Sequence, residues 1–314
     1  VIVFGIRRWR SAFGATDFVL FATVAVVWGS SFLPLRLQLG EVAPEVSGVW
    51  RFAIASAVMF GWLLLAGHRI RFGAADHGRF VVLGALLFSF NFASAYYSGF
   101  YLTSGLIAVV FSLAAVINPF LAATITWKLP EPRVLIGGFL GVAGVALLFG
   151  PEIVAVRAGS DAALGFALAL GATLFFCAGN MFSAAYQRRG LPVLPANSWG
   201  MLYGALWLAM FAVVRGEPFT IEWSARYVLS IVWLALPSTV IGFAAYLTLL
   251  GRVGAGRASY STVLIPVVAL AISTIFEAYE WTLSAAIGVV LVLAGNVVVL
   301  SVGSVSTPKA ASRA

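Results

Sequence analysis

Asn91, Asn118, Asn180 and Asn296 each fall inside a long apolar stretch of this 314-residue chain. An amide in hydrocarbon is costly unless it is hydrogen-bonded. Each of the four therefore either ties two helices together or faces a polar cavity. Trp28 lies deep in the first apolar stretch, beside Ser30 and Ser31. It is either core packing or, with those serines, an amphipathic wall for a small zwitterion or an aromatic ring. Tyr96, Tyr97, Tyr101, Tyr246 and Tyr260 add aromatic faces with a polar tip. Tyr97 and Tyr101 are one helical turn apart and share a face, although Tyr101 equally suits an interfacial belt. Arg36 and Arg51 are the basic side chains set well inside apolar stretches. Each either snorkels to the nearer water layer, contacts an anion, or pairs with Glu41 or Glu45. Together these groups suit reversible binding of a small amphipathic molecule, with Trp28, Ser31, Asn91, Tyr96, Tyr97, Asn180, Tyr246 and Tyr260 as the candidate substrate-binding set.

Bond-breaking chemistry has no such support. A serine-type intramembrane protease needs a base near its nucleophile, and both histidines, His68 and His77, fall in the connection after the second apolar stretch. An aspartyl type needs paired intramembrane aspartates, yet Asp17, Asp76 and Asp161 all fall outside the stretches. The single cysteine, Cys177, excludes an internal disulfide and a thiolate zinc site. No catalytic residue, metal or cofactor is expected.

The elements that would position these groups are long helices. Hydrophobic residues make up 62% of the chain and charged residues 10%, against roughly 25% charged in a soluble domain. The apolar residues fall in blocks of roughly 17–25, the length needed to cross about 30 Å of hydrocarbon. Ten blocks are expected: Phe18–Leu39, Ala43–Ala66, Phe80–Tyr101, Ser104–Trp127, Arg133–Gly150, Ala162–Gln187, Asn197–Arg215, Tyr227–Gly251, Gly256–Tyr279 and Trp281–Val302. They leave no extramembrane segment large enough for a core. A β-barrel, built from strands of about ten residues with alternating polarity, does not fit. Val1–Ile6 is apolar but too short for the core of a signal peptide.

The formal charge of +8 does not point to nucleic acid, because of how it is distributed. The N-terminal segment and every second loop carry 14 basic residues, among them Arg7, Arg8, Arg10, Arg69, Arg71, Arg79, Arg188 and Arg189. The opposite loops carry three, Arg157, Arg215 and Arg226, together with most of the acids. The positive-inside rule then places both termini in the cytoplasm, and an even number of spans agrees.

The second half echoes the first at an offset near 150. Ala95-Tyr96 matches Ala245-Tyr246, and Phe32 matches Phe182. Gly137 and Gly144 are spaced like Gly288 and Gly295, and Pro119 lies near the counterpart of Pro266. Five spans per half is an odd number, so the second half enters the membrane from the opposite side. Such inverted repeats place a substrate site near the midplane, where the halves meet. The expected organisation is a segment 1–17, a first five-helix repeat 18–150, a connection 151–161, a second repeat 162–302 and a tail 303–314. Pro119 and Pro266 break a helical hydrogen bond and are either matched hinges or static bends.

Trp28-Gly29-Ser30-Ser31-Phe32, Arg51-Phe52, and Pro266 followed by Glu277, Gly288 and Gly295 resemble signatures of the drug/metabolite transporter superfamily. The run from Ser104 through Asn118-Pro119 resembles the fourth helix of its EamA group, in particular the YddG-type aromatic amino acid exporters. The resemblance spans residues 18–302. It implies an all-α integral membrane protein with ten transmembrane helices as two five-helix inverted repeats. Spans 1, 3, 4, 6, 8 and 9 would line a central cavity, and spans 5 and 10 would pack at the periphery. It implies a secondary transporter in the bacterial inner membrane, exporting aromatic and other neutral amino acids. Other metabolites or drugs, or a receptor or assembly role without transport, stay open, as do monomer and homodimer. Small-molecule substrate and lipid are the expected partners, and nucleic acid is not.

The charge asymmetry generates a direct test. A cysteine introduced in the Arg69–Arg79 loop should resist a membrane-impermeant thiol reagent in intact cells and react once the cells are opened. Labelling in intact cells would reverse the topology.

Overall fold

The computed structural model describes residues 14–126, 132–155, 161–187, 189–253 and 261–300. Tyr260, the tail 303–314, and most of the segment 1–17 lie outside the described residues, as do residues 156–160 of the central connection. Among the described residues every regular element is helical. This is the form that satisfies backbone polar groups where water is absent.

Among the described residues, seven helices are long and apolar enough to cross a membrane: α1 (Ala15–Leu37), α2 (Pro44–Leu65), α3 (Ala74–Ser98), α4 (Ser104–Leu121), α6 (Asp161–Gln187), α7 (Val193–Arg215) and α8 (Ala225–Tyr246). Three more, α5 (Pro132–Ala155), α9 (Ser261–Phe276) and α10 (Leu283–Leu300), carry shorter apolar stretches within the described residues. Large apolar side chains such as Phe139, Val214, Ile275 and Leu283 are each more than 70% exposed, on helices with too few polar residues to face water. They form the outer, lipid-facing surface. The helix starting at Ala74 begins earlier than the apolar block at Phe80. Asp76, His77 and Arg79 therefore sit in its first turns rather than in a loop. Asp17 is likewise buried at the start of α1, where its carboxylate takes a hydrogen bond from Arg252 in the helical stretch Gly242–Val253 that continues α8.

Several helices are locally irregular, each for a stated reason. α1 breaks between Gly29 and Phe32. There the Ser30 hydroxyl donates back to the Val27 carbonyl at 3.2 Å, Ser31 bonds the same oxygen, and Pro34 has no N–H to continue the ladder. α3 and α8 each contain a π-helical segment, Gly84–Phe90 and Leu234–Ile241. The two begin 150 residues apart. Pro119 and Pro266 both lie inside their helices.

Small residues set how closely the helices pack. α5 lies along α10, α2 along α7, α9 along both α1 and α4, and α6 along both α3 and α4. A Cβ on Gly144 would stand 2.5 Å from the Gly288 carbonyl oxygen, and one on Gly137 would stand 2.6 Å from that of Gly295. The two glycine pairs spaced by seven are thus the backbone-to-backbone seam of α5 and α10. Between helices already bathed in apolar lipid, such close packing and the dispersion it gains drive association.

Replacing Gly144 with Val should part this seam and lower stability by about 1–3 kcal/mol, the usual range for overpacking. Thermal unfolding in detergent would report it. Gly171→Ala, at a glycine with open space around its Cβ position, should leave the melting temperature unchanged or slightly raised.

Candidate functional site

The irregular stretches converge on a cavity of about 450 Å³ enclosed by α1, α2, α3, α4, α6, α8 and α9. That volume lies within the range of about 300–1,000 Å³ common for small-molecule sites. α5 and α10 contribute no lining residue. The walls are largely aromatic. Trp28 packs against Phe243 and Tyr246 with ring centroids 5.4 and 5.2 Å away, and Phe111 lies 4.7 Å from Phe176. Polar groups interrupt these walls at Ser31, Asn91, Asn118, Asn180 and Thr239.

The π-helical segments explain how the polar groups reach the cavity. A π turn displaces backbone carbonyls from the regular ladder, and such turns recur at functional sites. In α8 the Ser238 carbonyl accepts a hydrogen bond from the Trp28 indole at 3.0 Å, and the Thr239 hydroxyl donates to the Leu234 carbonyl at 2.7 Å. Gly242 makes room for that indole, since a Cβ there would meet Trp28 Nε1 at 2.4 Å. In α3 the segment ends at Asn91, whose amide donates to the Leu87 carbonyl at 3.1 Å. The Asn118 side-chain oxygen, also at the cavity, is buried without a hydrogen-bond partner.

One end of the cavity is shut by charged and polar ties between helix ends. Glu277, just beyond α9, accepts from Arg36 Nη1 at 2.5 Å, from the Ser104 backbone N–H at 3.0 Å and from the Ser104 hydroxyl. Ser104 opens α4, so the carboxylate also sits at a positive helix end. Arg36 Nε donates onward to the Gly99 carbonyl at the end of α3. One carboxylate thus ties the ends of α1, α3, α4 and α9. A second tie centres on the buried Glu45, which accepts from Tyr97 at 2.9 Å and from Arg215 at 3.1 Å, joining α2, α3 and α7. Between the two, the Tyr96 hydroxyl donates to the side-chain oxygen of Gln38 at 2.5 Å.

Of the eight candidate binding residues, Trp28, Ser31, Asn91, Asn180 and Tyr246 border the cavity. Tyr96 and Tyr97 do not. Tyr96 is fully buried behind the wall with its hydroxyl spent on Gln38, and Tyr97 belongs to the Glu45–Arg215 tie. A periodicity argument could not separate them from lining residues, because neighbours on one helix turn differ in what they meet. Tyr260 lies outside the described residues. Pro119 lines the cavity and Pro266 does not.

The two arginines, with three alternatives open in the sequence, stood outside the candidate binding set. Arg36 pairs with Glu277, not with Glu41 or Glu45. Arg51 neither snorkels nor pairs with a carboxylate among the described residues. It is 3% exposed, lies at the cavity wall and has its guanidinium carbon 4.2 Å from the centre of the Phe92 ring. The signal for it was present in the chain, as a basic residue seven positions into an apolar span. Only the fold could say that the span turns that position inward.

A bundle of apolar helices around a largely aromatic internal cavity with a few polar groups, tied shut at one end, suits a membrane transport protein. The chain belongs to the EamA-like transporter family, whose model matches residues 17–150 and 163–301. It is 26% identical over 296 residues to a probable amino-acid metabolite efflux pump of Escherichia coli, covering 89% of this chain and 93% of that one. It is 21% identical over 275 residues to the uncharacterized transporter YoaV of Bacillus subtilis, covering 87% and 92%. A crystal structure sharing 17% identity superposes with a TM-score of 0.64 over 91% of this chain and 96% of the other, a likeness of fold alone. The protein is a multi-pass transporter and not an enzyme.

The ties predict a measurable seal. With Cys177 replaced by serine, a cysteine at Ala95, on the cavity wall near the closed end, should label slowly from that side. Glu277→Gln removes a partly exposed pair worth up to about 1 kcal/mol and should raise the labelling rate by about two- to fivefold. An unchanged rate would mean that the seal is apolar packing alone.

Proposed function

We propose that this protein exports small metabolites, with aromatic and other neutral amino acids as the first candidates, by alternating access through the central cavity. The observation that carries this reading is the cavity itself, aromatic-walled, of amino-acid size, and bordered by both halves of the chain. The similarity to a probable amino-acid metabolite efflux pump favours the same substrate class. A closer kinship with the YddG-type exporters is part of the proposal and rests on the resemblance in α1 and α4.

The reading takes the chain as ten spans in two inverted repeats, residues 18–150 and 162–302, in the bacterial inner membrane with both termini cytoplasmic. Three features support the repeat. The π-helical segments start 150 residues apart. The family match falls in two stretches of similar length. The packing of α6 on α3 and α4 is mirrored by that of α1 on α8 and α9. On this topology the Arg36–Glu277 and Glu45–Arg215 ties close the outer end, so the cavity is poised for loading from the cytoplasm. Opening outward would separate these ties while Pro119 and Pro266 flex as hinges.

Transport is proposed to run down the substrate gradient without obligatory proton coupling. A proton relay generally uses Asp, Glu or His within the membrane, and among the described residues none borders the cavity. Glu277 and Glu45 are each committed to an arginine at the closed end. Drug-like cations fit poorly for the same reason, as the walls offer them no carboxylate.

Purified protein in liposomes, given a panel of labelled amino acids, tests both points. Aromatic amino acids should equilibrate across the membrane, and an imposed pH gradient should not drive them uphill. No movement of any panel member would remove the amino-acid reading. Uphill movement that collapses with an uncoupler would remove the uncoupled one.

A further inference from the structure

Arg51 is the one charged side chain at the cavity wall among the described residues. Its Nε and Nη1 atoms are buried without any hydrogen-bond partner. Nη2 donates to the Thr239 hydroxyl at a long 3.4 Å, and the Tyr96 hydroxyl oxygen also faces the guanidinium. The rest of its environment is aromatic, with Phe92 4.2 Å and Phe52 5.0 Å from the guanidinium carbon. The Tyr96 hydroxyl donates its own proton to Gln38 and so brings the guanidinium no carboxylate. Two aromatic faces attract a cation, but they do not supply the acceptors that five N–H groups require. A guanidinium kept for architecture alone would be expected to sit among carbonyls or opposite a carboxylate, because an unpaired buried charge costs stability.

We propose that Arg51 is the anchor for the carboxylate of the transported molecule, and that the preferred substrates are organic monocarboxylates with an aromatic or bulky apolar body. The inference rests on the transport reading and narrows it. A carboxylate entering the cavity would give the guanidinium the counter-charge and acceptors it lacks, in surroundings where charge-assisted bonds are strongest. The apolar body would lie against Trp28, Phe111, Phe176 and Phe243. Nothing at the wall offers a negative charge to an ammonium. A zwitterionic amino acid therefore leaves its ammonium to asparagine oxygens and ring faces, while a simple carboxylate of the same shape leaves nothing uncompensated. The acid should bind more tightly than the amino acid, and the amine should bind least.

The test is ligand-induced thermal stabilisation of the full-length protein in detergent, using 3-phenylpropanoate, phenylalanine, 3-phenylpropylamine and inorganic phosphate. The acid should stabilise best, phenylalanine less, and the amine and phosphate should have no effect. Arg51→Gln should weaken the acid by about tenfold or more, the worth of one charge-assisted hydrogen bond. Without ligand, that variant should melt no lower than the parent, because it loses an uncompensated charge. An amine that binds as well as the acid overturns the proposal, and so does phosphate that stabilises equally. Undiminished acid binding by Arg51→Gln also overturns it. Should that variant fail to fold, the acid-to-amine comparison on the parent protein decides. Liposomes separate this from the broader reading. Acid that binds through Arg51 but never crosses the membrane defeats transport and leaves the anchor standing. Phenylalanine moved equally by parent and Arg51→Gln leaves transport and defeats the anchor.

Discussion

Within an apolar slab, every polar group must find its partner inside the protein, and the rest of this structure follows from that requirement. The backbone meets it by forming helices. Where a helix departs from the regular ladder, a side chain takes up the slack. Ser30 and Ser31 bond the Val27 carbonyl, Thr239 bonds that of Leu234, and the Trp28 indole bonds that of Ser238. These repairs lie at the cavity wall or one residue from it, so the same irregularities that cost regular hydrogen bonding also create the polar spots of the site. Arg51 and Asn118 are two cavity groups that stay only partly partnered, and Arg51 is the one of them that carries a charge.

The second organising feature is a division of labour among the helices. α5 and α10 meet along glycines with their backbones in contact and stay clear of the cavity. Such a seam tolerates little relative movement, since closely packed interiors do not deform continuously. The cavity helices instead meet through aromatic rings and, at one end, through two carboxylates that each tie several helix ends together. Each tie joins a buried carboxylate to a partly exposed arginine, so its charges can be exchanged for hydration when that end opens. A closed end held in this way suits alternation between states separated by a few kcal/mol.

Much of the architecture was legible in the chain. Block lengths gave the helical character, and Gly137, Gly144, Gly288 and Gly295 were legible as a repeated spacing that only the contacts turned into a packing seam. Trp28, Asn91, Asn180 and Tyr246 were legible as site candidates because a polar or amphipathic group in a long apolar run has few other reasons to be there. The errors have a common cause. Tyr96 and Tyr97 look like the other tyrosines in type and placement, yet one is buried behind the wall and the other joins an ion pair. Arg36 left snorkelling, an anion contact or a pair with Glu41 or Glu45 open in the sequence, whereas its partner Glu277 is 241 residues away.

What the sequence determined by itself was therefore the solvent: a composition of this kind calls for lipid, crossed by helices of long apolar runs. The tertiary structure decided which polar residues are partnered and which are left over. Partnership between side chains hundreds of residues apart depends on the rotation of each helix about its axis and on which helices adjoin. Lipid-facing and cavity-facing positions are both apolar here, so periodicity carries little information about that rotation. Arg51 makes the point most sharply, because its type and depth were plain in the chain, while its lack of a counter-charge existed only once the helices were assembled around it.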